Sequence, residues 1–319
     1  MTRNSIFNYL VEFESENIFT SWFELLITLI IFVSLVAANT FISYFPLKLL
    51  ISGLQGLAMV RLFVIYHDYN HGTILKNSIL AAIVMNLFGL LILAPATIWN
   101  YYHNYHHRNN TKISGFICGS FPILSKDEYH KLSSKEKGSY RFVRSGHIIL
   151  FSYLYIFLVS FCLNPFLKNP KQNWMGILAI GLHVTLSIFL FAISWSTLIF
   201  FLSFPLFIMT LIAGYIFYVQ HNSPDIRIYE NNEWDFIKAA INSSTFIKMN
   251  LFWRWITANI GHHHIHHLNS KIPFYKLHKV LANNPGLRPA VTSTLSPRDI
   301  KKCLKLKLWD DKSGKLVTF

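Results

Sequence analysis

Apolar residues along this chain of 319 residues collect in long runs that contain almost no charge. A helix needs about 20 apolar residues to cross the hydrocarbon core of a bilayer, whereas the helices of a soluble core alternate apolar and polar faces. The pattern predicts four spanning helices, at 25–42, 47–66, 175–194 and 198–219. Only Pro46 and its neighbours separate the first two runs, which predicts a tight hairpin.

Two further apolar runs, 79–98 and 148–166, are predicted to lie in the membrane interface rather than to cross the membrane. This prediction depends on three histidine clusters, which lie at 67–71, 103–107 and 262–267. If the clusters share one site, they lie on one side of the membrane, so an even number of crossings separates each pair. One apolar run lies between the first two clusters and three lie between the last two, so one run in each interval does not cross.

These elements predict an all-α integral membrane protein of a single domain, 1–319, with about four transmembrane helices, interfacial helices and a histidine-rich cytoplasmic cap. The cap comprises 101–147 and 220–319. The composition agrees, because 52% of residues are hydrophobic and 14% are charged, against about 25% charged in soluble proteins. The formal charge of +14 is concentrated in loops that flank the apolar runs, which indicates cytoplasmic loops and argues against nucleic-acid binding. The three cysteines form no CxxC pair, which argues against a thiolate metal site.

The histidine clusters have the spacing of metal-binding motifs. Their regularly spaced members are HxxxH at His67 and His71, HxxHH at His103, His106 and His107, and HxxHH at His263, His266 and His267. Residues three and four apart share one face of a helix, so each cluster can direct several imidazoles at one cation. Eight imidazoles exceed the four ligands of a tetrahedral ion and the six of an octahedral ion, which predicts two metal ions. Imidazole suits zinc, copper, iron and nickel, so the ligands alone leave the metal open.

Further residues join the three clusters in a resemblance to a known family. They are the run Phe217-Tyr218-Val219-Gln220-His221-Asn222, the pairs Trp234-Asp235, Glu128-Tyr129 and Tyr140-Arg141, and Asn259-Ile260-Gly261 before the third cluster with Leu268 after it. With the three boxes in this order, the chain resembles the membrane fatty-acid desaturases, and within them the bacterial Δ12-type acyl-lipid desaturases. The resemblance covers roughly residues 45–290.

The resemblance implies a non-haem di-iron centre held by histidine. Carried over position by position, the implied ligands are His67, His71, His103, His106, His107, His263, His266 and His267, with His221 as a further ligand between the second and third boxes. We interpret His262 and His264 as non-ligands, and His183 as a hydrogen-bonded residue of the helix core. Asp68 is a candidate acceptor for a ligand N–H. Arg61 is expected to reach the interface by snorkelling.

The implied reaction is O2-dependent desaturation of a long-chain fatty acyl group, which introduces a cis double bond. The implied partners are an acyl lipid substrate, O2, membrane lipids and an external electron donor such as ferredoxin, because the chain has no His-Pro-Gly-Gly cytochrome b5 signature. The implied location is the bacterial inner membrane, with the active site facing the cytoplasm.

Two alternatives stay open at this point. A hydroxylase or carotenoid ketolase of the same superfamily would share the histidine boxes. A membrane metal transporter would place ligands at mid-membrane, usually with acidic residues in the spans. The runs 25–42, 47–60 and 175–219 contain no Asp or Glu, which argues against transport.

Overall fold

The structure, a computed structural model, describes residues 3–111, 121–229 and 232–319. Part of the predicted cap, 112–120 with Cys118, lies outside the described residues. In chain order the helices are α1 (Arg3–Val11), α2 (Ile18–Phe41), α3 (Phe45–Asn70), α4 (Ile79–Leu91), α5 (Ala96–Arg108), α6 (Lys126–Lys131), α7 (Ser134–Val143), α8 (Gly146–Leu150), α9 (Asn164–Lys168), α10 (Trp174–Ile193), α11 (Trp195–Leu198), α12 (Phe204–Gln220), α13 (Phe236–Asn242), α14 (Leu251–Ile256), α15 (His263–Leu268), α16 (Leu277–Asn283) and α17 (Pro297–Lys305). Two π-helical segments, Tyr153–Leu163 and Ile199–Ser203, and a 3₁₀ turn, Pro285–Leu287, complete the helical part.

Four helical stretches are long and apolar enough to cross a membrane, which confirms the predicted fold class. They are Ile18–Phe41, Phe45–Asn70, Trp174–Ile193 and Trp195–Gln220, the last of which includes α11, a π-helical segment and α12. Helix α2 begins before the predicted apolar run 25–42. The Asn17 side chain caps the start of α2 by accepting a hydrogen bond from the Thr20 N–H.

The two runs predicted to be interfacial are both interrupted. The run 79–98 is divided between α4 and α5, which are bent by 85° at a short break that contains Pro95. The run 148–166 is divided among α8, the π-helical segment Tyr153–Leu163 and α9.

The chain divides into two compact units. The apolar unit comprises Glu16–Tyr101 and Phe151–Gly214, and the histidine unit comprises Met1–Ser15, Tyr102–Leu150 and Tyr215–Phe319. Most of each candidate span falls in the apolar unit. The second and third histidine boxes fall in the histidine unit.

In the apolar unit, one backbone carbonyl ties three helical stretches together. Phe200 lies in a π-helical segment, where the backbone hydrogen bonds are shifted from the α-helical pattern. Its carbonyl accepts from Ser52 Oγ at 2.8 Å and from Asn39 Nδ2 at 3.3 Å. Lipid offers no hydrogen-bond partners, so buried polar groups in a membrane must satisfy one another in this way.

The snorkelling expectation for Arg61 is wrong. Its side chain is 2% exposed, pairs with the Glu24 carboxylate, and donates from Nε to Thr28 Oγ1 at 3.1 Å. The reason is that α2 begins before the apolar run, which places Glu24 inside the helix beside α3. A charge inside a membrane bundle is retained when it is paired, and this pair joins α2 to α3.

The histidine unit contains five short strands that the sequence did not predict: β1 (Leu124–Ser125), β2 (Phe246–Lys248), β3 (Thr292–Thr294), β4 (Leu308–Asp310) and β5 (Lys315–Val317). β4 pairs parallel with β1 and antiparallel with β5, and β2 pairs parallel with β3. Trp309 of β4 and Leu316 of β5 form an apolar core with Ile226, Ile228 and Val291. These strands anchor the C-terminal part of the chain in the histidine unit.

Candidate metal centre

The third histidine box is held by a close backbone approach. The Ile247 N–H of β2 donates to the Gly261 carbonyl at 3.0 Å, and a Cβ on Gly261 would lie 2.7 Å from the Ile247 carbonyl oxygen. Only glycine allows that approach, and α15 begins two residues later. On α15, His263 and His267 share one face, with their Nε2 atoms 2.9 Å apart.

Four buried histidines form the first group. Their ligand atoms lie within 4.8 Å of one another, and the members are His106 of α5, His221 after α12, and His263 and His267 of α15. His221 Nε2 lies 2.9 Å from His263 Nε2. The group therefore brings together residues from three separate segments of the chain.

Three more histidines of the same unit form the second group, His103, His107 and His266. His107 Nε2 lies 3.0 Å from His103 Nε2 and 3.1 Å from His266 Nε2. Each HxxHH box therefore divides its ligands: the residues four apart face one group, and the residue between them faces the other. The two boxes therefore contribute histidines to two separate groups, each of which could hold a metal ion.

The first box lies in the apolar unit, at the end of α3. The rings of His67 and His71 are 4.6 Å apart, the same separation as between His103 and His107. Trp99 packs edge-on against both rings, at 5.5 and 6.3 Å. His67 Nδ1 donates to Asp68 Oδ1 at 2.9 Å, because a carboxylate only accepts. This bond leaves the His67 Nε2 lone pair available to a cation.

The electrostatics of the histidine unit favour neutral imidazoles. Burial lowers the pKa of His221 to about 4, although its Nδ1 donates to the Ser243 carbonyl at 3.0 Å. Burial and the neighbouring rings, His107 first, lower the pKa of His267 well below its usual value. Ligands bonded to one ion at about 2.1 Å lie about 3.0–3.4 Å apart, close to the separations seen here. The donor set therefore fits bound metal ions.

Other histidines lie outside both groups. His262 Nδ1 donates to the Asn259 carbonyl at 3.2 Å, and burial lowers the pKa of the His262 ring to about 4. The His264 ring packs against Phe246, with centroids 5.9 Å apart. His183 forms a 2.6 Å hydrogen bond with the Tyr153 hydroxyl inside the apolar unit. None of the three is a member of a metal-competent group within the described residues.

Sequence reasoning missed the residues that support His221. The Ser243 contact is made by a backbone carbonyl, so no residue type signals it. Asn222 follows His221 and donates from Nδ2 to the Cys303 carbonyl at 2.8 Å, and its Oδ1 accepts from Arg144 Nη2. The only sequence signal for these contacts is a polar residue directly after a ligand.

Comparison with known proteins agrees with this geometry. Residues 39–294, which include all three boxes and His221, match the sequence model of the family described as fatty acid desaturase. The chain belongs to this family. It is therefore an oxidoreductase of the desaturase type, and the hydroxylase and ketolase alternative is not favoured.

The chain is also similar to individual desaturases. It is 29% identical to the fatty acid desaturase of Bacillus subtilis (strain 168), over 88% of this chain and 84% of that protein. It is 26% identical to the sn-1 acyl-lipid omega-3 desaturase (ferredoxin) of Nostoc sp. (strain 36), over 74% of this chain. It is 25% identical to the Delta(12)-fatty-acid desaturase of Arabidopsis thaliana, over 69% of this chain. The chain spans 66% and 61% of the lengths of the Nostoc and Arabidopsis proteins.

Proposed function

We propose that this desaturase introduces a cis double bond into a long-chain fatty acyl group in an O2-dependent reaction at two iron ions. The proposal depends mainly on how the two HxxHH boxes are shared between the two groups. His106 of the second box joins the histidines of the third, and His266 of the third box joins the histidines of the second. A single ion would need no such crossing.

The proposed ligand set follows the two groups. One ion would be held by His106, His221, His263 and His267. The other would be held by His103, His107 and His266, together with His67 and His71. The support for adding the first box is its local geometry, since its two rings have the same separation as the His103–His107 pair.

Iron bound there would supply the redox chemistry that removal of hydrogen from unactivated methylenes requires. An acyl –CH2–CH2– unit, O2, two electrons and two protons give –CH=CH– and two waters. The histidines would hold the ions as neutral ligands, because burial disfavours their protonation. The buried surroundings of His263 and His267 would keep bulk water from the reacting carbons, since both rings are 2% exposed.

The proposed electron donor is a ferredoxin, because the Nostoc relative is named as a ferredoxin-type desaturase. The proposed substrate is an acyl chain carried by a membrane lipid. The proposed location is the bacterial inner membrane, with the histidine unit on the cytoplasmic side, because basic loops favour that side.

The test is expression in a bacterial host that lacks polyunsaturated lipids, followed by mass spectrometry of the fatty acids with location of double bonds. We expect a new cis double bond and about two iron ions per purified chain by elemental analysis. An iron-loaded, reduced protein that produces no unsaturated acyl chain would reject the reaction. A protein that retains only zinc after growth with both metals would reject the iron assignment.

A further inference from the structure

Helix α17 presents a concentrated basic surface. Ser296 caps it by accepting from the Asp299 N–H at 3.2 Å, and Pro297 occupies its first turn. Its exposed side chains include Arg298, Lys301, Lys302 and Lys305. Its one acid, Asp299, accepts a hydrogen bond from the Thr294 hydroxyl. Within the described residues, none of the four forms an ion pair.

The buried side of α17 is joined to the candidate metal centre by hydrogen bonds. The Cys303 carbonyl accepts from Asn222 Nδ2 at 2.8 Å, and the Leu306 carbonyl accepts from the same atom at 3.3 Å. Asn222 is covalently joined to His221, whose Nε2 lies 2.9 Å from His263 Nε2. A short path of covalent and hydrogen bonds therefore leads from α17 to the first histidine group.

Two buried cations add to the positive potential beneath this helix. Arg144 is 0% exposed, donates from Nη2 to the Leu306 carbonyl at 3.1 Å, and lies over the Tyr218 ring. Lys307 is 9% exposed and donates from Nζ to the Arg144 carbonyl. No carboxylate that the structure describes pairs with either cation. Unpaired charge in a low-dielectric interior extends its field to the surface.

We propose that the exposed face of α17 is the docking surface for an acidic one-electron carrier of the ferredoxin type, and that electrons enter through Asn222 and His221. This proposal rests on the proposed function. Two reduced carriers would dock in turn, each oxidised by one electron, and so supply the two electrons that the desaturation consumes with O2 and two protons.

The surroundings of α17 favour a protein carrier over a lipid surface. A segment that inserts into the membrane interface places large apolar side chains beside its cations. On α17 itself no large hydrophobic side chain is exposed, and among the described residues from 257 to 319 only Phe319 exposes one. Electron-transfer complexes are small, transient and steered by charge, which matches a polar, basic helix face.

The test compares two double charge reversals in the full-length, iron-loaded protein in nanodiscs. Lys301→Glu/Lys305→Glu changes two exposed positions one turn apart on α17. Lys131→Glu/Lys135→Glu, also at exposed positions, is the matched control. At low ionic strength, we expect the α17 variant to raise the KM for reduced ferredoxin at least about 10-fold, and the control to stay within about twofold. The difference should shrink at high salt.

A second measurement separates docking from damage to the centre. Both variants should give wild-type yields of double bond in a single turnover after chemical reduction with dithionite. A wild-type KM in the α17 variant, an equal loss in the control, or a loss of dithionite-driven turnover would each overturn the docking proposal. A loss that depends on phosphatidylglycerol in the nanodisc rather than on ferredoxin would assign the surface to lipid. Wild-type protein that yields no product with either reductant would instead reject the proposed function.

Discussion

His221 and His263 are 42 positions apart in the chain, yet their Nε2 atoms lie 2.9 Å apart. His221 lies one residue after the end of α12, and His263 is the first residue of α15. The contact therefore depends on where two helices end and begin. It also explains how a histidine outside the three boxes becomes part of the first group.

Replacement of His267 should remove metal from the first group. We expect His267→Asn to lower activity at least about 100-fold, because changes even to the partners of metal ligands cost about 10–100-fold. The measurement is iron content and product yield in purified, membrane-inserted protein. His264→Asn is the control, since His264 is equally buried on the same helix but lies outside both groups. Equal iron loss in the two variants would contradict the division of α15 into ligands and non-ligands.

The histidine spacing predicted which residues could share a cation, because the positions i, i+3 and i+4 share a helix face whatever the tertiary fold. It did not predict how each box divides between two groups, because that depends on the angles at which α5 and α15 approach each other. The apolar runs likewise predicted the candidate spans, since lipid solvation requires long apolar helices. The Glu24 partner of Arg61 was missed, because helix ends depend on caps such as Asn17 that hydropathy does not report.

Asp68 should control metal affinity through His67. Its carboxylate accepts from His67 Nδ1 at 2.9 Å, which fixes the tautomer and raises the basicity of the ring. Asp68→Asn is expected to weaken iron binding about 10–100-fold while the protein still inserts. Competition with a chelator measures this change, and Asp127→Asn at an exposed position is the control. An unchanged chelator midpoint for Asp68→Asn would show that this contact does not tune the centre.

The Arg61–Glu24 pair should stabilise the fold without affecting the metal. Removal of one partner from a buried pair costs about 3–5 kcal/mol, and the 21% exposure of the Glu24 side chain places the effect at or below the lower end. We expect Glu24→Gln to lower the free energy of unfolding measured by detergent titration, with no change in iron content. The double variant Arg61→Met/Glu24→Leu should recover most of the loss. If it is less stable than Glu24→Gln, the cost does not come from an unpaired charge.

Gly56 lies at a close approach between α3 and α12 in the apolar unit. A Cβ there would lie 2.7 Å from Ile208 Cβ and 2.7 Å from the Pro205 carbonyl oxygen, so the helices would have to separate. We expect Gly56→Ala to destabilise the protein by about 1–3 kcal/mol in the same detergent titration. Gly53 lies one turn earlier, and a Cβ there would meet only the Phe204 ring, at 3.8 Å. Gly53→Ala should therefore leave the free energy of unfolding unchanged or raise it. Equal stability of the two variants would mean that α3 and α12 pack less closely than the structure shows.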